Sequence, residues 1–261
     1  MKIGIRNGSM GFPAMKQLFE QAAEIGFDGV ELDIREQWQD EPVLSPEERE
    51  EIKRLSAESG VEVPSLCIGA LWRFSPAASD SETLATARDL LAMSIEAAVD
   101  LGAQWILLPV TPSDEEISHE ECQARWIHEM ETVAPLAEAA EITLCLENVG
   151  RGCGKSAEDL LTLVTAIASP RVMTYYDIGN ACAFGHDAVE EIRTLAEAIG
   201  VVHIKDREAD LLGEGIVNIP GCVDALREIS YDGWLILETP PTDDPLEAGN
   251  YNLAYLRDVV D

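Results

Sequence analysis

Short apolar runs with strand character alternate along the chain with longer stretches of helical period. The strand-like runs fall at 2–6, 28–32, 62–68, 104–110, 142–147, 172–177, 200–205 and 234–238. Amphipathic stretches at 13–26, 46–60, 81–102, 119–140, 156–168, 187–199, 220–230 and 244–259 predict the intervening helices. Eight strands, each followed by a helix, predict a single (β/α)8 TIM barrel across residues 1–261. Local punctuation agrees with this reading. Gly26, Gly60, Gly102 and Gly200 stand where helices should stop before the next strand. Ser45 followed by Pro46 marks a helix start, as does Ser156 followed by Ala157-Glu158-Asp159. A doubly wound open sheet is the competing architecture. The first strand, however, runs into RNGSMGF, whose Gly8 and Gly11 fall short of a dinucleotide-binding glycine pattern.

Composition narrows the function classes. No Ser/Gly/Pro-rich linker divides the 261 residues, so one domain is expected. The formal charge of −31 opposes nucleic acid and anionic membrane as partners, because both would be repelled. Only 5 of the 18 basic residues are lysine, a balance that suits a salt-rich cytoplasm. The six cysteines are scattered without a CxxC pair and read as reduced thiols in a cytoplasmic protein. The opening MKIGIRNG lacks the apolar stretch of a signal peptide, and no run reaches membrane-spanning length. A homo-oligomer is compatible with all of this.

Candidate chemistry gathers at four strand ends. Glu147, Asp177, His203 and Glu238 close the runs ITLCLEN, RVMTYYDIGN, VVHIKD and WLILET, at steps of 30, 26 and 35 positions. Strand side chains alternate between faces. Leu144 and Leu146, Val202 and Ile204, and Leu235 and Leu237 take the helix-facing parity, which turns Glu147, His203 and Glu238 inward. Asp177 shares a face with Met173 and Tyr175. All four stand at the C-terminal ends of their strands, where barrel active sites lie. Three carboxylates converging inside a barrel repel one another unless a cation joins them. Three oxygen donors and one imidazole suit Mn²⁺, Mg²⁺ or Co²⁺, with Zn²⁺ as a further alternative. Glu31 ends the second strand and is placed to orient a ligand of the metal. Lys205 shares the inward parity of His203; with Arg6, Arg73, Arg151, Lys155 and Arg207 it forms a basic set near the mouth, suited to a phosphate or a sugar hydroxyl. Trp72 and Phe74, after the third strand, are placed to cap a sugar.

At these residues the chain resembles the xylose-isomerase-like barrel superfamily, in its branch of sugar-phosphate isomerases and epimerases. GFDGVEL (26–32), LEN (146–148), YYDIGN (175–180), HIKD (203–206), LGEG (212–215) and ALREISYDGWLILET (225–239) carry the likeness, which spans essentially the whole chain. The resemblance implies that Glu147, Asp177, His203 and Glu238 are the metal ligands. It further implies that Glu147 and Glu238 are the acid–base pair of a ketose 3-epimerase working through a cis-enediolate. Asn180, Lys205, Arg207, Trp72, Arg73 and Glu31 then become the residues around a small sugar or sugar phosphate. The pattern departs from tagatose-type epimerases at three positions. Their histidine three residues beyond the ligand aspartate is Asn180, their arginine six beyond the ligand histidine is Ala209, and their glutamate six beyond the first catalytic glutamate is Cys153. An aldose–ketose isomerase and an inosose-type dehydratase use the same kind of metal site. An endonuclease IV-like hydrolase needs many histidines, whereas this chain has four. A non-catalytic metal- or sugar-binding barrel would have no need of both glutamates.

Overall fold

The computed structural model describes residues 1–260. Eight parallel strands close into a barrel in sequence order: β1 (Lys2–Arg6), β2 (Gly29–Asp33), β3 (Ser65–Cys67), β4 (Trp105–Pro109), β5 (Thr143–Glu147), β6 (Val172–Asp177), β7 (Ile199–Ile204) and β8 (Trp234–Leu237). The ring shuts through β1 against β8, with Ile5 opposite Leu237. The expected (β/α)8 barrel is the observed one. The helices are α1 (Met15–Ile25), α2 (Pro46–Ser59), α3 (Ser81–Leu101), α4 (His119–Ala140), α5 (Ala157–Ile167), α6 (Ile178–Ala183), α7 (Ala188–Leu195), α8 (Ile219–Glu228) and α9 (Pro245–Val260).

The cap signals read from the sequence do their work. Ser45 and Ser156 accept from the backbone amides of Glu48 and Asp159, satisfying N–H groups that the helix leaves free. Gly26, Gly60 and Gly102 end their helices in the left-handed conformation. Gly200 does not: it lies inside β7, at a register shift against β6, between the pairs Thr174–Ile199 and Tyr175–Val201. A Cβ there would stand 3.0 Å from the Cys145 sulfur, a tight approach that favours glycine at the bulge. The extra residue matters for the site, because it brings His203 directly opposite Asp177.

Two apolar layers hold the barrel. Leu144, Leu146, Val202, Ile204, Leu235 and Leu237 pack outward into the helix-facing core. Inside the barrel, Leu107, Cys145, Tyr175, Val201, Trp234 and Ile236 form a separate packed floor. No described helix is long and apolar enough to cross a membrane.

Candidate metal centre

Each of the four strand-end residues is placed by a distinct local device. Glu147 is the last residue of β5, opposite Tyr175. Asp177 ends β6 and at once caps α6, its Oδ1 accepting from the Asn180 amide at 2.8 Å. Asn148 grips the Asp177 backbone from both sides, accepting from its N–H at 2.8 Å and donating to its carbonyl at 2.9 Å. Capping consumes Oδ1 and leaves Oδ2 turned into the barrel. Glu238 follows β8, held by its amide on the Ile204 carbonyl at 3.0 Å. One donor atom from each of Glu147, Asp177, His203 and Glu238 lies within 4.8 Å of the others; Glu238 is half-buried and the rest are buried.

The imidazole is oriented from behind. His203 Nε2 lies 2.9 Å from Glu31 Oε1, and Glu31 Oε2 accepts from Ser65 and Tyr175, each at 2.6 Å. The Tyr175 ring stands edge-on to His203 at 4.6 Å. This network gives Nε2 the proton and turns Nδ1 toward Glu147, Glu238 and Asp177, at 3.3, 3.4 and 4.0 Å. Two cations approach from above. Lys205 Nζ hydrogen-bonds Glu238 Oε2 at 2.6 Å. It also lies 2.6 Å from Asp177 Oδ2, an ion contact outside hydrogen-bond alignment, so that buried oxygen has no hydrogen bond. Arg6 grips both Asp33 oxygens through Nε, at 2.9 and 3.0 Å, and pairs with Glu238 Oε1 through Nη1.

These surroundings drive the two glutamates apart. Burial raises Glu147, the neighbouring Glu238 charge adds to that, and the carboxyl is pushed up to about 7 despite His203. Glu238 is buried too, but His203, Lys205 and Arg6 outweigh that and hold it well below the usual carboxylate range. For His203, burial lowers and the Glu238 and Glu31 carboxylates raise; the carboxylates prevail, and the ring sits well above the ordinary imidazole value. Three carboxylates, an imidazole nitrogen aimed at them and one buried oxygen without a hydrogen bond fit a hard or borderline divalent cation.

Above the cluster a cavity of about 470 Å³ opens. Glu147, Glu238, Asn180, Lys205, Arg207 and Trp72, all singled out in the sequence, line it. Val149, Arg151 and Phe184 complete the wall. Glu31 lies beneath, fully buried, reaching the site through His203. Arg73 is not brought to the site: its guanidinium sits 5.4 Å over the Phe74 ring, outside the cavity wall, and Phe74 itself packs against the core. Asn180 lines the cavity with its side-chain N–H₂ already donated to the Asn148 carbonyl at 3.0 Å. His186 precedes α7, whose cap is Asp187, and faces Glu191 at 3.4 Å. Sequence reasoning passed over Asn148, Ser65 and Tyr175 as site residues. Inward parity was the available signal for Tyr175, and the LEN run was the signal for Asn148.

A closed (β/α)8 barrel with a carboxylate–imidazole cluster at the C-terminal mouth defines the class: a barrel built around a candidate divalent-metal centre. More narrowly, the chain belongs to the xylose isomerase-like TIM barrel family, whose model matches residues 19–259. It is 28% identical over 226 residues to the L-ribulose-5-phosphate 3-epimerase of Salmonella heidelberg (strain SL476), covering 83% of this chain and 79% of that protein. Among solved structures, D-psicose 3-epimerase from Clostridium cellulolyticum H10, with D-tagatose, superposes with a TM-score of 0.87 at 18% identity, covering 100% of both chains. The apo 3-keto-D-glucoside 4-epimerase YcjR from E. coli does so with a TM-score of 0.86 at 20% identity, covering 99% of both. The structural likenesses establish the fold.

Proposed function

We propose that this chain is a divalent-metal-dependent sugar isomerase whose reaction is 3-epimerisation of a ketose or ketose phosphate. The observation that carries the reading is the convergence of Glu147 and Glu238 with Asp177 and His203 at one cavity floor. The two glutamates come from β5 and β8, three strands apart around the ring, so they approach a bound sugar from different sides. The epimerase activity named for the Salmonella relative points the same way.

Glu147, Asp177, His203 and Glu238 would hold the ion, with Mn²⁺ first and Mg²⁺, Co²⁺ or Zn²⁺ as alternatives. When bound, the ion supplies Lewis acidity toward the oxygens of the substrate. The protein supplies the proton handling. Glu238, kept ionised by Lys205 and Arg6, takes the C3 proton of the ketose. Glu147, reaching the sugar from β5, is the group that returns a proton to the other face of the planar enediolate. Glu31 fixes the His203 ring, and Asn148 fixes Asp177. Trp72 and Phe184 wall the cavity and keep water from the exposed face of the intermediate. The six cysteines are free thiols, in keeping with a reducing cytoplasm as the working compartment.

The reading is tested by stripping the protein with chelator, reloading it with each of the four ions, and following ketoses and their phosphates by ¹³C NMR. The expected result is a metal-restored change of configuration at C3. An aldose product would move the reaction to aldose–ketose isomerisation, and loss of water would move it to dehydration. Absence of any conversion by fully loaded protein would reject the reading.

A further inference from the structure

Basic side chains in so acidic a protein rarely lack a carboxylate. Among the described residues, Lys205 is neutralised by Asp177 and Glu238, and Arg6 by Asp33 and Glu238. Away from the mouth, Arg49, Arg88 and Arg193 each hold glutamates. Arg257 donates to the Gly26 carbonyl, and Arg73 covers a phenyl ring. Lys155 has no side-chain partner among the described residues but stands outside the cavity wall, and Arg151 and Arg207 differ from all of these. Neither side chain has an ion pair, a hydrogen bond or an aromatic ring, and both line the cavity above the candidate metal centre.

The two arginines stand on loops built to hold them still. Arg207 follows the buried Asp206, whose carboxylate accepts from the backbone amides of Arg207, Gly213, Gly215 and Val217 at 2.8 to 3.1 Å. The Ile216 amide closes the same loop on the Arg207 carbonyl at 3.1 Å. Arg151 sits in a tight turn closed by the Gly154 amide on its own carbonyl at 3.1 Å. Gly150 beside it has φ of 70°, and the Phe184 ring occupies the place of its missing Cβ, so only glycine serves there. Such loops fix the points from which the two exposed side chains leave the backbone. Two guanidinium groups brought from two loops, after β5 and after β7, match a group with several acceptor oxygens and two negative charges. A carboxylate is satisfied by one such fork.

We propose that Arg151 and Arg207 form an anion subsite that takes the terminal phosphate of the sugar, so that the substrate is a ketose phosphate and not a free ketose. This assignment rests on the ketose reading for the identity of the sugar, but the subsite itself can be tested without turnover. A phosphate dianion approaching a chain of net charge −31 is repelled at long range, and two uncommitted arginines at the mouth offset that locally.

The test has two arms. In the first, inorganic phosphate is titrated into metal-free protein and followed by ³¹P NMR line broadening. Saturable binding is expected, weakened about tenfold or more by Arg151→Ala and by Arg207→Ala, since each removes a charge-assisted hydrogen-bonding group. Arg73→Ala, outside the cavity, leaves it in place. Binding that ignores Arg151 and Arg207, or no binding at all, overturns the subsite even if the protein proves inactive on every sugar. In the second arm, kcat/KM is compared for a free ketose, its terminal phosphate and the analogue with a terminal carboxylate. The phosphate should be preferred, and each arginine variant should lower the phosphate-to-free ratio by about tenfold to hundredfold. A free ketose turned over as well as its phosphate overturns the subsite and leaves the epimerase standing. Preference for the carboxylate overturns the phosphate assignment in favour of a sugar acid.

Discussion

The floor and the rim of the barrel interior are made by the same strands two residues apart, yet they obey opposite rules. On β5 the inward residues are Cys145 and then Glu147; on β6, Tyr175 and then Asp177; on β7, Val201 and then His203; toward the end of β8, Ile236 and then Glu238. One inward step is about 6.6 Å of strand. Across it the interior passes from apolar packing to three carboxylates and an imidazole. The floor excludes water from below, which raises the cost of each charge above it. The rim answers with Lys205, Arg6 and His203 in the metal-free protein, and with a divalent cation in the proposed working state. The lesson is that the apolar floor is part of the electrostatics of the site. It makes the acidic cluster unable to stand alone.

Four perturbations separate floor from rim, beginning with the largest effect. Glu238→Gln removes a proton carrier and should lower turnover by about 10²- to 10⁴-fold, with the barrel still folded by circular dichroism. Wild-type turnover by that variant would break the two-glutamate mechanism. Ile236→Ala, two residues below, should do the reverse. It should cost about 2–5 kcal/mol of stability in denaturant melts, through lost packing and a cavity, while metal stoichiometry per folded molecule holds. Loss of metal with stability intact would erase the distinction between the layers.

The third perturbation is pH. Glu147 is raised from 4.5 to about 7 in the folded, metal-free state, so between these values the folded chain holds a proton that the unfolded chain has released. The stabilising contribution is complete below 4.5 and is lost as pH rises through about 7, of order a few kcal/mol at most. Glu238 is lowered and titrates below this window, and Asp177 is raised and acts in the same sense as Glu147. Thermal melts should therefore show the metal-free protein losing stability as pH rises from about 4.5 to about 7, with Mn²⁺ restoring more at the upper end because it no longer competes with the Glu147 proton. A metal effect independent of pH would contradict the assignment of Glu147. The smallest effect is Glu31→Gln, which loosens the His203 ring and should weaken metal binding about 10- to 100-fold in a chelator competition, with little change in melting.

The barrel was legible because each strand is a short apolar run closed by a glycine, serine or acidic signal, and the eight runs and helices lie within a few residues of their expected places. The inward parity of the four site residues was legible for the same reason, since alternation along a strand needs no tertiary information. Three features were not. The short α6 hides inside YYDIGN, because Asp177 both ends a strand and caps a helix, and one residue cannot announce two roles in a hydropathy pattern. Gly200 reads as a helix stop because its place in a bulge and its close approach to the sulfur of Cys145, 55 residues away, exist only in the folded barrel. Arg6, Arg73 and Arg207 look alike as loop cations. Only their partners tell them apart: Arg6 is committed to Asp33 and Glu238, Arg73 covers Phe74, and Arg207 faces the cavity without a partner.

The central claim is that the rim cluster holds one metal ion and moves one proton at a carbon beside a ketose carbonyl. Solvent deuterium incorporation measures this most directly. Metal-stripped and Mn²⁺-loaded protein are incubated in D₂O with a panel of ketoses and their phosphates, and the recovered sugars are read by NMR. The account predicts deuterium at C3, in both substrate and epimer, from the loaded protein alone. Incorporation that survives proven metal removal, or none from loaded protein across the panel, would contradict it.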